Sequence, residues 1–273
     1  MKILNEQSSI NSDGLNVLLV GAGKNIDYIK TSKFLRKFYT TSEEEFEDVV
    51  NIKFNTFREL AQKCRTLQID LVIVEEEKWI NEGIADVLKL NFINCIAPNT
   101  KWTQLSLSNK FARSMAEKYE IDVPPTTLLP NDFPLIVRGD GINRRADSIG
   151  DVTRIREEVY ARSPVIAADL YLEKYIDGEK ILLTSIYDGV HLLTFPNEKI
   201  DKTLCESYSL KLENMLQKEK ADFIGFIHSE VIPYDGKLYN TAFRFGFRQP
   251  ACNLDILYVL WLAIYQKINE IIF

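Results

Sequence analysis

Apolar and polar positions follow two different rhythms along this chain, and the rhythm changes in its second half. The first part carries short, mostly apolar runs. Asn16–Val20 runs into Gly21-Ala22-Gly23, and Ile69–Val74 and Phe92–Ala97 repeat the pattern. Short apolar runs of this length predict strands covered on both faces, as in a parallel sheet. Helical patterns lie between them. Phe57, Leu60, Ala61, Cys64 and Leu67 share one face of a helix over Thr56–Leu67, with Asn55 or Thr56 as its cap. A second helix is expected over Glu82–Leu90. Strand, helix, strand, helix, strand predicts a doubly wound lobe.

Beyond it, Thr103–Tyr119 reads as a helix with Phe111, Met115 and Ala116 on one side. The run Ile121-Asp122-Val123-Pro124-Pro125-Thr126 stops it. From Phe133–Val137 onward, short strands dominate: Val165–Leu172, Ile181–Ile186 and Val190–Thr194, with hairpin turns at Asp177-Gly178 and Asp188-Gly189. Ser207–Lys220 reads as a helix. Ile224–Pro233 and Lys237–Phe245 form a hairpin around Tyr234-Asp235-Gly236, and Leu254–Ile271 is a closing helix. The expected class is α/β (α+β overall), a doubly wound parallel-sheet lobe followed by lobes with antiparallel sheets. The expected divisions are a tail over 1–14, a parallel α/β domain over 15–102 and a second domain over 103–273.

Composition narrows the function. At 273 residues, two lobes are affordable on size alone. A net charge of -6 and a pI near 5.2 argue against general nucleic-acid binding. No apolar run is long enough to cross a bilayer. Met1–Gly14 is polar and lacks the apolar core of a secretory signal, so a frayed tail is expected. Four cysteines (Cys64, Cys95, Cys205 and Cys252) stand far apart with no CxxC pair, and His191 and His228 are the sole histidines. That spacing argues against zinc and for a reduced, cytoplasmic chain.

Candidate chemistry concentrates at Leu172–Glu179 and the strand after it. An apolar strand end meets Glu173, then Asp177-Gly178, then Glu179. Backbone groups past a strand end can bond a flat heterocycle, and a nearby carboxylate can accept from sugar hydroxyls. The same residues also make an ordinary polar hairpin turn. Gly21-Ala22-Gly23 begins like a dinucleotide turn, but Lys24, Asn25 and Ile26 follow without a third glycine, so a strand-end turn is the simpler reading. Glu75-Glu76-Glu77, at a strand end, either holds an amine or is a solvated run before a helix.

Five stretches, in this order, resemble the ATP-grasp ligases, and most closely the phosphoribosylamine–glycine ligases. Ile69–Glu75 resembles that family's second buried strand. Ser108-Asn109-Lys110-Phe111-Ala112 with Tyr119–Thr126 resembles its Ser-Lys helix and the stop that follows. Leu135–Gly141 resembles its Val-Val-Lys-Ala-Asp-Gly strand, Glu173–Glu179 its hinge, and Arg244-Phe245-Gly246 its Arg-Phe-Gly.

The resemblance implies ATP held between two antiparallel sheets. Glu173, Lys174, Tyr175 and Ile176 would bind adenine through backbone groups, and Glu179 would bind ribose. Lys110 and Arg138, the latter in place of a lysine, would contact phosphates. The family's glycine-rich phosphate loop falls at Asn143–Ser148, which has no glycine; Arg144 and Arg145 there either substitute as cations or lie in a solvated turn. The family's paired magnesium ligands, Glu and Asn, fall on Asn240 and Ala242. Glu230 matches an acidic ligand of other ATP-grasp enzymes, so a weakened metal site at Glu230 and Asn240 is implied, a charge on a hairpin face being the other reading of Glu230. Arg244 would stabilise a transferring phosphoryl group or acyl phosphate, or sit in a structural ion pair. A long Asp- and Gly-rich segment of the family is replaced by Phe195–Glu206, and its C-terminal domain is expected to be lacking.

The implied activity is ATP-dependent joining of a small-molecule acid to an amine through an acyl phosphate. A protein partner covering an open site is a further implication. The alternative is a catalytically impaired relative that binds a nucleotide or a partner.

Overall fold

A computed structural model of the chain describes residues 14–128, 130, 132–250 and 254–271. The expected tail lies almost wholly outside the described residues, as does Cys252.

The chain opens with β1 (Leu15–Val20), which is buried along its whole length. It continues through α1 (Ile26–Lys30), β2 (Leu35–Thr40), β3 (Val49–Asn51) and α2 (Phe57–Thr66). Then follow β4 (Leu71–Val74), α3 (Glu77–Asn81), α4 (Ile84–Leu90) and β5 (Cys95–Ile96). The five strands form one parallel sheet in the order β3-β2-β1-β4-β5. Thr56 is the cap of α2: its hydroxyl accepts from the Glu59 N–H at 3.2 Å, and the Glu59 carboxylate accepts from the Asn55 N–H at 2.9 Å. The first bond satisfies a donor that the first helical turn leaves open, and the second ties the residue before the cap back onto the helix. The sequence patterns did not predict α1, β2 or β3. In β2 the first half is open to solvent at Arg36 and Lys37, and that breaks the apolar run that marks a doubly covered strand.

The expected helix over Thr103–Tyr119 is two helices, α5 (Gln104–Leu107) and α6 (Asn109–Lys118). Ser108 leaves the helical conformation, and its hydroxyl caps α6 by accepting from the Phe111 N–H at 3.4 Å. Next come β6 (Thr126–Thr127), β7 (Leu135–Gly139), β8 (Ile142–Ala146), α7 (Ile149–Arg162), α8 (Pro164–Ala168) and β9 (Tyr171–Lys174). The four strands form an antiparallel sheet, β6-β9-β7-β8. The strand expected over Val165–Leu172 is therefore a helix followed by a later strand. Ser163 caps α8 and Pro164 sits in its first turn, where a missing N–H costs nothing.

A second antiparallel sheet, β11-β10-β12-β13, is built from β10 (Ile181–Tyr187), β11 (Leu192–Thr194), β12 (Gly225–Tyr234) and β13 (Lys237–Phe245). Because β9 and β10 lie in different sheets, Asp177-Gly178 is a crossing between sheets and not a hairpin turn. Helix α9 (Lys202–Lys218) precedes β12. The closing helix α10 (Ile256–Ile264) is shorter than expected; the chain breaks at Gln266, with φ 58°, before a 3-10 turn at Ile268–Glu270.

Three apolar clusters hold these layers. Leu18, Val20, Val72 and Val74 on one face of the parallel sheet share a core with Leu183, Ile227, Val231 and Phe243 of the second antiparallel sheet and Leu212 of α9. On its opposite face, Val17, Leu19, Leu71 and Ile73 pack with α10. Burial of Ile256, Leu257, Val259, Leu260 and Leu262 in α10 contributes on the order of 10 kcal/mol gross to this contact. The third cluster, Leu135, Val137, Ala146, Val152, Ile155, Val159, Leu170 and Leu172, lies wholly between the first antiparallel sheet and its helices. That sheet thus has its own core and meets the rest of the molecule through polar contacts described next.

Candidate functional site

The two antiparallel sheets face one another across a cleft that α6 closes at one side. From β7, Arg138 reaches into it, 5% exposed. Its Nε donates to Glu173 Oε2 at 2.9 Å, and one terminal nitrogen donates to the Thr241 carbonyl on β13 at 3.0 Å. Glu173, on β9, takes a second guanidinium on its other oxygen: Arg113 of α6 donates to Oε1 at 2.8 Å and to the Pro124 carbonyl at 2.9 Å. Arg113 also pairs with Glu117 at 2.8 Å and stands over the Tyr171 ring, 5.7 Å from its centroid. Burial beside Glu173 pushes the Tyr171 phenol up to about 12. The remaining cavity between the sheets is about 20 Å³. A drug-sized ligand needs roughly 300–1,000 Å³, so a nucleotide enters here only if the sheets part.

Arg113 is the residue that the sequence reading missed. It stands three positions after Lys110 on α6, about one helical turn away, and that spacing was the available signal. Lys110 itself is at the helix start and exposed, with its ammonium 3.0 Å from Asp169. It belongs to the rim of the cleft, while Arg113 and Arg138 occupy the interior.

The hinge residues bridge the sheets. Lys174 ends β9, its N–H on the Pro125 carbonyl at 2.8 Å. Tyr175 carries the Arg145 guanidinium 4.6 Å from its ring centroid, and Ile176 is buried. Among the described residues, the N–H groups of Tyr175 and Ile176 have no intramolecular partner. Gly178 passes so close to β12 that a Cβ there would meet Ile232 Cγ2 at 2.7 Å. Glu179 is exposed and ion-paired with Lys199.

The Asn143–Ser148 run is not a loop over the cleft. Most of it is β8, joined to β7 by a tight turn at Asp140-Gly141. Arg144 pairs with Glu158 of α7, and Arg145 with Asp147. Ser148 caps α7: its hydroxyl accepts from the Asp151 N–H at 3.2 Å and donates to the Asp151 carboxylate at 2.9 Å. Ser148→Ala is expected to lower stability by about 1 kcal/mol, as N-cap losses do, read as a shift in the chemical denaturation midpoint.

On the opposite sheet, Glu230 of β12 lies across from Ala242 of β13, and its Oε1 is 3.2 Å from Nε of Arg244. The ladder bulges after Glu230, so Val231 pairs with Asn240 and Thr241 is the extra residue. Asn240 is buried. Its side-chain amide donates to the Tyr208 hydroxyl of α9 and its backbone N–H to the Asp122 carbonyl at 2.8 Å. Burial pushes the Tyr208 phenol up to about 12, so that hydroxyl stays neutral. The structure therefore gives Asn240 a partner in the α9 layer and leaves Glu230 with Arg244. No group of three or more His, Cys, Asp or Glu suited to a metal ion occurs among the described residues.

The glycine turn after β1 is filled from within. Glu75 accepts from the Gly23 N–H at 2.8 Å and from the Asn25 N–H at 2.9 Å. Donors that would otherwise face an anion are already taken. Glu77 accepts from the Phe245 N–H at 3.3 Å, so neither acid is a free amine site or a solvated run. A larger recess of about 600 Å³ lies elsewhere, beside β5 and the Asp188-Gly189 turn. Its acids are satisfied internally: Asp188 by the N–H groups of Val190 and His191, Asp222 by Asn99 and Lys89.

No family model matches the chain. In sequence it is 24% identical over 204 residues to phosphoribosylamine–glycine ligase of Rhizobium meliloti, an alignment that spans 66% of this chain and 48% of that enzyme. Among solved structures, phosphoribosylamine–glycine ligase of Thermotoga maritima superposes with a TM-score of 0.63 at 11% identity, covering 85% of this chain and 68% of the other. D-alanine–D-alanine ligase of Bacillus anthracis, complexed with ATP, superposes with a TM-score of 0.55 at 15% identity, covering 94% and 98%. No described helix is long and apolar enough to cross a membrane. The chain has the ATP-grasp fold, and in sequence it is similar to the phosphoribosylamine–glycine ligases.

Proposed function

We propose that the chain is an ATP-dependent carboxylate–amine ligase of the ATP-grasp type, joining a small acid to an amine through an acyl phosphate and releasing ADP. The observation that carries this reading is the opposition of two antiparallel sheets with Arg138 and Glu173 on one and Glu230 and Arg244 on the other. The free N–H groups of Tyr175 and Ile176 at the crossing between the sheets fit the edge of a flat heterocycle. When bound, ATP supplies the phosphoryl group that activates the carboxylate. The backbone from Glu173 through Ile176 holds the base, and Glu179, released from Lys199, accepts from sugar hydroxyls. Arg138 and Lys110 bring positive charge to phosphate oxygens, and Arg244 stabilises charge that develops on the acyl phosphate. Entry requires the first antiparallel sheet to swing away, breaking the Arg138–Thr241 bond. The relatives' names suggest glycine and phosphoribosylamine as the first pair to test. We place the reaction in the cytoplasm, with a parallel α/β domain over 15–102 and the ATP-grasp domain over 103–273.

One observation favours a second reading, a nucleotide- or partner-binding relative without phosphoryl transfer. Magnesium takes hard oxygen ligands. Glu230 is held by Arg244, Asn240 by Tyr208, and Ala242 has no side-chain oxygen. These residues do not fit a magnesium ion.

The two readings separate in one experiment. The chain is incubated with ATP and acid–amine pairs, and ADP is measured by a coupled assay. ADP release that needs both substrates supports the ligase. Calorimetric binding of a non-hydrolysable ATP analogue, with no ADP released for any pair, sinks the ligase reading and leaves the second.

A further inference from the structure

The metal mismatch has a positive counterpart in the arginines. Resting on the nucleotide-binding part of the proposed function, we infer that the cleft binds its nucleoside di- or triphosphate without a divalent cation, with Arg244 and Arg138 neutralising the phosphates.

Arg244 is placed for this. Its Nε is held by Glu230 at 3.2 Å, while its two terminal nitrogens have no acceptor among the described residues. A carboxylate on Nε fixes the guanidinium plane and leaves the outer fork free, and that fork matches two phosphate oxygens. A divalent ion on the Glu230 carboxylate would have to sit against this guanidinium, cation beside cation. The second implied ligand is turned away by the bulge at Thr241 and tied to Tyr208, deep under α9. The third position offers a methyl group. Across the cleft, Arg138 faces the same space and shares the Glu173 carboxylate with Arg113, which has Glu117 as a further partner. Phosphate charge is therefore met from both sheets by guanidinium groups.

Calorimetric titration of the full chain with ADP tests this, once in excess EDTA and once in saturating magnesium. The dissociation constants are expected to agree within about threefold. Glu230→Gln removes an anion from beside the phosphates and should tighten ADP in EDTA by about three- to tenfold, whereas Arg244→Ala should weaken it by about tenfold or more. Glu230→Gln reads out in the direction of gain, so a folding defect cannot imitate it. Magnesium that tightens ADP more than about tenfold overturns the inference and leaves nucleotide binding intact, as does a Glu230→Gln loss seen in magnesium alone. Absence of ADP binding in both buffers overturns the nucleotide reading itself and this inference with it.

Discussion

Glu173→Gln is expected to destabilise the protein by about 3–5 kcal/mol, the range for breaking a buried ion pair by removing one partner. Glu173 is 4% exposed, and each of its oxygens takes one guanidinium, Arg113 at 2.8 Å and Arg138 at 2.9 Å. Glutamine preserves shape and one acceptor. It removes the charge, however, and leaves the buried Arg138 without a counter-ion beside Arg113, which keeps Glu117. The cavity beside them is too small to bring in much compensating water. The cost belongs to the uncompensated charge, and a second variant shows this. Arg138→Met with Glu173→Leu replaces the buried pair by apolar groups and should recover most of the loss, since Arg113 keeps Glu117 and the Pro124 carbonyl. Chemical denaturation midpoints measure both. A Glu173→Gln midpoint close to wild type would mean that the triad is hydrated and that the cleft stands more open than described. The same triad carries the Arg138–Thr241 bond, so its loss also loosens the contact that closes the two antiparallel sheets on each other.

How much of this was legible follows from local physics. β1 and β4 were readable because strands covered on both faces leave apolar runs, whereas of the run Phe92–Ala97 only Cys95–Ile96 is a strand, at the sheet edge, and Phe92 is exposed. β2 was not readable, because Arg36 and Lys37 face solvent at its start. Helix α8 was misread because Val165 and Ile166 favour strands, although Ser163-Pro164 is a helix start. Arg138 and Glu173 were found by resemblance, but their mutual bond could not be, because β7 and β9 pair across a long insertion that includes α7. The fate of Asn240 was partly written in the sequence. Leu238 is buried on even parity, then Phe243 and Phe245 on odd, and that slip marks the bulge at Thr241 that turns Asn240 toward α9. A period-two reading with no slip puts Asn240 and Ala242 on one face with Glu230.

Acidification from pH 6.5 to 4 is expected to cost about 3 kcal/mol of stability through His228 alone, taking about 1.4 kcal/mol for each pH unit of pKa shift. Its side chain is fully buried between β10 and β13. Nε2–H donates to the Gly246 carbonyl at 2.7 Å, and Nδ1 is 3.0 Å from the Thr184 hydroxyl, which then serves as donor. Burial above all holds its pKa down at about 4 from 6.5; the Gly246 carbonyl opposes this and the Arg248 charge adds to it. Phe226 stacks on its ring, centroids 6.2 Å apart, and offers no counter-charge. Above pH 6.5 the imidazole is neutral in both folded and unfolded chains, and its contribution is fully present. Between 6.5 and 4 the unfolded chain takes up a proton that the folded one refuses, so stability falls as pH falls, and the loss saturates below about 4. Carboxylates titrate in the same range, so the test is a difference. Urea denaturation of wild type and His228→Gln across pH 4–7 should give curves that converge by about 3 kcal/mol as pH drops, and parallel curves would sink the assignment. The consequence reaches the cleft, because Gly246 has φ 104° and a Cβ there would clash with the Glu75 carbonyl. His228 therefore anchors the glycine turn by which β13 docks on the parallel sheet, and Arg244 pairs directly across from it in the ladder. The folded chain itself protonates His228 only near and below pH 4, so phosphate affinity of the folded protein should hold across the window in which stability falls and fail only below it, where the strand end that aims Arg244 is released.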